Sequence, residues 1–135
     1  MAAEKESSGN ARPLRVLIAD DNKDAADMVA MNLKSPRLDV SVVNSGKAAL
    51  QSAHTSVPDV VILDIGMENP NGYDVARSLR REFATSRMLI LAVTGWAGEG
   101  NRQRALDAGF DHHFVKPVAT AELLATIEKW SEESD

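Results

Sequence analysis

Five polar side chains stand where they can do chemistry together. Asp20 and Asp21 follow the apolar run LRVLIA, Asp64 ends VPDVVIL, and Thr94 ends MLILAV. Lys116 precedes Pro117 after the more polar stretch FDHHFV. Three carboxylates gathered in one small space repel one another and raise one another's pKa. A hard divalent cation relieves that conflict. Mg²⁺ prefers an octahedron of oxygens, keeps several waters and takes one or two carboxylates plus a phosphate. Asp21 and Asp64 suit direct ligation, Asp20 ligation through a water, and the backbone carbonyl of Gly66 a further ligand position. A carboxylate is also a competent nucleophile towards phosphorus, giving an aspartyl phosphate. Lys116 supplies a compact cation for one phosphoryl oxygen and Thr94 a hydroxyl donor for another. Phosphoryl transfer rests on positioning and electrostatics, so this short inventory suffices. The transient acceptor is assigned to Asp64.

Such residues need a scaffold that delivers them to one edge. The three near-continuous apolar runs, Leu14–Ala19, Val57–Leu63 and Met88–Val93, read as strands buried on both faces of a parallel sheet. Leu38–Val43 places Leu38, Val40 and Val42 on one side and suits an edge strand. Phe110–Val115 completes the set, stopped by Lys116-Pro117. Helical patterns alternate with the strands. They cover Lys23–Lys34, a segment capped by Ser45 and running through His54, Gly72–Phe83, Glu99–Ala108 ending at Gly109, and Thr120–Trp130 with Thr120 as N-cap. Five βα units predict an α/β fold of the flavodoxin-like doubly wound kind, strand order 2-1-3-4-5. In that fold the ligand crevice lies at the carboxyl ends of the strands, where all five polar residues fall.

The motifs, taken together, resemble the receiver domains of two-component response regulators. They stand as Ala19-Asp20-Asp21-Asn22, then Asp59-Val-Val-Ile-Leu-Asp64-Ile-Gly-Met with Gly72 eight residues after Asp64, Ala92-Val-Thr94-Gly95-Trp96, and His113-Phe-Val-Lys116-Pro117. The spacings are 43 residues from Asp21 to Asp64, 30 on to Thr94 and 22 on to Lys116. The resemblance spans Arg12 to about Trp130 and is strongest to receivers attached to hybrid histidine kinases. It implies Mg²⁺ (or Mn²⁺) as cofactor and a sensor or hybrid histidine kinase, or a phosphotransfer protein, as donor. It implies no activity beyond self-phosphorylation and autodephosphorylation. It adds Gly95 to the phosphate-binding set, a cis Lys116-Pro117 bond, and a switch in which Thr94 moves inward and His113 shifts with it. The altered surface is expected on the fourth helix, fifth strand and fifth helix, facing a downstream protein. A bulky Trp96 is expected to slow loss of the phosphoryl group.

Two positions depart from the family pattern: Glu68 replaces a usual proline, and His113 a usual tyrosine or phenylalanine. Glu68 is expected to alter the loop after Asp64 and add negative charge near the metal. A degenerate receiver, binding a partner regardless of phosphorylation, is therefore the alternative. A Mg²⁺-dependent phosphatase or a flavin protein is disfavoured: no second aspartate stands two residues after Asp64, and no hydroxyl- and glycine-rich loop follows the first strand.

Composition bounds the rest. A length of 135 residues suits one domain, and with no cysteine there are no disulfides or thiolate metal sites. The formal net charge of −5 argues against a nucleic-acid-binding face. No apolar run approaches the roughly 18 residues of a membrane span, and the polar N-terminus lacks a secretory core. A cytoplasmic protein is expected, with residues 1–12 a flexible lead-in, 13–131 the domain and 132–135 a tail. Arg77, Arg80 and Arg81 read as a solvated basic stretch, and His112 and His113, on opposite faces of a strand, as unable to share a metal.

Overall fold

The computed structural model describes residues 12–95 and 98–133. The expectations for residues 1–11, Trp96 and the last two residues of the tail lie outside that range. Ten elements alternate without exception: β1 Leu14–Ala19, α1 Lys23–Leu33, β2 Leu38–Val43, α2 Gly46–Thr55, β3 Val60–Asp64, α3 Gly72–Glu82, β4 Leu89–Thr94, α4 Glu99–Ala108, β5 His112–Val115 and α5 Thr120–Glu133. All pairings are parallel, in the order β2-β1-β3-β4-β5. The flavodoxin-like fold is as the βα pattern predicts.

Alternation along the strands divides the core in two. Leu17, Val61, Leu63, Ile90 and Ala92 face α2, α3 and α4, meeting Ala49, Ala53, Val75, Ala76, Leu79, Ala105 and Ala108. Val16, Ile18, Val60, Ile62, Leu89 and Leu91 face α1 and α5, meeting Ala26, Leu33, Leu123 and Ile127. Every residue of β3 and β4 is buried. That is why those strands read as unbroken apolar runs. The edge strands β2 and β5 are partly exposed and mix polar residues with apolar ones.

Several boundaries differ from expectation for local reasons. β3 begins at Val60, not Val57, because Pro58 has no N–H to pair and Asp59 turns its carboxylate to the N–H of Arg15 and the guanidinium of Arg12. β5 begins at His112, because Gly109 (φ 111°) and Phe110 close α4 by donating to Leu106 and Ala105. Thr120 is the first residue of α5 and not its cap; the carbonyl of Ala119 takes the first turn's bonds from Glu122 and Leu123. α5 continues past Trp130 to Glu133. Arg80 leaves the solvated basic stretch altogether. Its guanidinium donates to the carbonyls of Gly109 (2.8 Å) and Met88 (2.7 Å) and to the carboxylate of Asp111 (2.8 Å).

Candidate functional site

The site is built where strands end and helices have yet to begin. Asp20 directly follows β1, Asp64 closes β3, Thr94 closes β4 and Lys116 directly follows β5. Each connection is steered by a side chain or a glycine. Asn22 caps α1 by accepting the N–H of Ala25 (3.1 Å), which turns the chain immediately after Asp21. After β3 the loop must return close beneath Asp64. Gly72 permits this: a Cβ there would lie 2.6 Å from Ile65 Cα and 2.8 Å from the Asp64 carbonyl oxygen. Asn71 caps α3 by accepting the N–H of Asp74. Between these points Asn69 takes a positive φ of 35°, a region asparagine tolerates. The Lys116-Pro117 bond is cis, as the resemblance implies, and Asn69-Pro70 is cis as well.

The three aspartates converge. Each offers a carboxylate oxygen, and these oxygens lie within 4.8 Å of one another. Asp20 and Asp64 are buried, whereas Asp21 is exposed. Lys116 reaches in from the fifth strand, its Nζ 3.2 Å from Asp20 Oδ2 and 3.5 Å from Asp64 Oδ2. The N–H of Gly66 donates to Asp64 Oδ1 (2.9 Å), and the N–H of Asn22 to Asp20 Oδ1 (2.9 Å). Thr94 is buried one strand away from Asp64, and its carbonyl accepts the N–H of Lys116 at 2.7 Å. Gly95 is exposed, and among the described residues no atom beyond its chain neighbours would come within 4 Å of a Cβ there. Glu68 is exposed and stands outside the acidic cluster.

Charge is unevenly tolerated here. Burial, helped by the neighbouring Asp20, pushes the Asp64 carboxyl up; the Gly66 N–H and Lys116 oppose this without cancelling it. Burial pulls the Lys116 ammonium down, but its hydrogen bond to Asp20 and the charges of Asp64 and Asp20 raise it overall. One ammonium among three carboxylates leaves an excess of negative charge. The donors are all oxygens, two sheltered and one open to water. That donor set fits a hard divalent cation that keeps part of its hydration shell. His112 is exposed and stands apart from this cluster. His113 is half-buried on β5, beside Ala92 of β4, and its Nε2 is buried with no hydrogen-bond partner among the described residues.

Sequence reasoning missed Asn22 as a cap, although an asparagine just before an amphipathic helix is the usual signal. It also missed Asn44, whose Nδ2 donates to the Asp20 carbonyl at 3.0 Å.

The fold has counterparts among known proteins. The response regulator receiver domain model matches residues 16–128. The receiver domain of the Francisella response regulator 1452 superposes with a TM-score of 0.82 at 24% identity, covering 90% of this chain and 99% of that one. The signal receiver domain of a DNA-binding response regulator (merR) from Colwellia psychrerythraea 34H gives 0.81 at 29% identity, covering 88% and 98%. A CheY-like response regulator receiver domain protein from Methanospirillum hungatei JF-1 gives 0.81 at 25% identity, covering 90% and 97%. A family match across most of the chain, with the acidic cluster and its lysine at the expected strand ends, establishes that this chain belongs to the response regulator receiver domain family.

Proposed function

We propose that the protein accepts a phosphoryl group on Asp64 from a histidine kinase or phosphotransfer protein and thereby changes its affinity for a downstream protein. The observation that carries this reading is the meeting of Asp20, Asp21 and Asp64 within 4.8 Å, with Lys116 3.5 Å from Asp64. An oxygen of Asp64 attacks phosphorus, the donor's P–N bond breaks, and the released imidazole takes up a proton. Mg²⁺ or Mn²⁺, when bound, offsets the charge that gathers on the phosphoryl oxygens. Asp21, Asp64 and the Gly66 carbonyl would hold it directly, and Asp20 through a water. Lys116 holds one phosphoryl oxygen as a cation, and the Thr94 hydroxyl and Gly95 N–H hold others. The Gly66 N–H keeps Asp64 oriented before transfer.

Thr94 and His113 form the switch. Thr94 ends β4 next to Val115, and His113 lies two residues back along β5 on the same face of the sheet, under α4. Movement of Thr94 towards the phosphoryl group opens space that His113 can exploit. The change biases two packings of α4, β5 and α5.

Incubation with acetyl phosphate and Mg²⁺ tests the proposal. The expected result is a mass gain of one phosphoryl group, mapped to Asp64, absent without divalent metal and absent in Asp64→Asn. Wild-type protein that takes no label, with partner capture indifferent to Asp64→Asn, would establish the degenerate-module alternative in its place.

A further inference from the structure

β2 is the edge strand beside β1, and the two run in register to Ala19 and Val43. One backbone rung follows, from the Asp20 N–H to the Val43 carbonyl at 3.2 Å. The next rung would need a donor from β2 for the Asp20 carbonyl. The chain has left the strand by then, because Ser45 already accepts the Ala48 N–H to begin α2. The side-chain amide of Asn44 supplies the missing donor, 3.0 Å from that carbonyl. The Asp20 backbone is thus gripped at both ends, its N–H by Val43 and its C=O by Asn44.

That carbonyl belongs to the peptide joining Asp20 to Asp21. Its orientation determines how one carboxylate turns inward, to Lys116 at 3.2 Å, while the next faces water and still lies within 4.8 Å of Asp20 and Asp64. Asn44 is exposed, so packing alone does not demand an amide there. We infer that Asn44 is a positioning residue of the divalent-cation site, fixing the Asp20–Asp21 peptide so that both carboxylates meet Asp64. The inference rests on the cation site proposed above.

Its test is a MgCl₂ titration of wild type, Asn44→Ala and Asn44→Gln, read in two ways. Calorimetry gives the Mg²⁺ dissociation constant directly. Acetyl phosphate labelling gives the half-saturating Mg²⁺ concentration separately from the plateau rate. Asn44→Ala should weaken Mg²⁺ binding by about threefold to tenfold, the size of one net hydrogen bond. Its plateau rate should stay near wild type, its urea midpoint should fall by no more than one net hydrogen bond explains, and Asn44→Gln, which keeps the amide donor, should recover part of the loss. An unchanged Mg²⁺ requirement in Asn44→Ala overturns the inference. So does a fall in plateau rate and urea midpoint without a change in Mg²⁺ affinity, which marks a purely structural role. If wild type binds Mg²⁺ but never labels, the phosphoacceptor reading fails while calorimetry still decides the role of Asn44.

Discussion

As the proposed phosphoacceptor, Asp64 must carry its charge in a place that resists it. It is buried beside Asp20, with a single ammonium to share. Removing one of three crowded carboxylates should therefore stabilise the fold while abolishing function. Asp64→Asn is expected to raise Tm in metal-free buffer at neutral pH and to take no phosphoryl label. A lower Tm would mean that the Lys116 contact outweighs the repulsion. His113 presents a different conflict. Its imidazole is held below its ordinary value by burial first and then by Arg102 of α4, while its strand neighbour Ala92 offers no charge in return. A depressed value means the unfolded chain takes up the proton first, so stability is full above about 6.5, the ordinary imidazole value, and falls as pH drops below it. His113→Phe should remove that part of the acid sensitivity. It should also recover part of the roughly 1–3 kcal/mol that an unpartnered buried polar atom costs. Urea midpoints at pH 7.5 and 5.5 check both, and an undiminished pH difference in His113→Phe would refute the assignment to this residue.

Among the elements, the β3–α3 connection is the tightest constraint on the site. Gly72 lets α3 start against the backbone of Asp64 and Ile65, and Gly46 of α2 packs on Pro70, where a Cβ would stand 2.5 Å from the proline carbonyl oxygen. Gly72→Ala should cost about 1–3 kcal/mol, since backbone and not a flexible side chain must give way, and should slow labelling by moving Asp64. A wild-type urea midpoint and rate would show that the loop yields freely. Arg80 does comparable work at the other end of α3, tying β4, α4 and the approach to β5 through Met88, Gly109 and Asp111. Arg80→Lys should not restore what Arg80→Ala loses, because one ammonium cannot serve three acceptors in fixed directions. The contrast explains what was legible beforehand. β3, β4 and the last four residues of β1 are buried on both faces, so they read as apolar runs whose ends mark the site. Arg80 sits between two arginines that are exposed, and no local window reveals carbonyls brought beneath it from residues 88 and 109. Asn44 is hidden likewise, because its partner lies 24 residues earlier and is a backbone atom. Polar edge strands blur too: β5 is HHFV, and its start was fixed by the end of α4, not by its own pattern.

Across the whole molecule the two ends of the sheet are electrostatic opposites. At the carboxyl ends, three carboxylates crowd around one lysine. At the amino ends, Asp59 accepts two hydrogen bonds from Arg12 (2.9 and 3.1 Å) and one from the Arg15 N–H (2.8 Å). Burial alone would raise the Asp59 carboxyl, but Arg12 and the Arg15 N–H together hold it below the usual carboxylate range. That contribution is present above the ordinary value of 3.8 and is lost as pH falls through the depressed one. β3 separates the two clusters by about 16 Å, five residue steps at roughly 3.3 Å each. Sites so far apart, with no shared partner, should contribute additively. Mg²⁺ bound at the proposed site, and not by the unfolded chain, should stabilise wild type by about 2.7 kcal/mol at a hundredfold excess over its dissociation constant. Asp59→Ala should lower Tm without Mg²⁺, yet keep the full Mg²⁺-dependent increment. Asp64→Asn should lose most of the increment while raising the baseline. Thermal melts of the three proteins, with and without saturating MgCl₂, separate these effects. An increment that shrinks in Asp59→Ala would mean that the two ends are coupled through β3, and the picture of independent poles would fall.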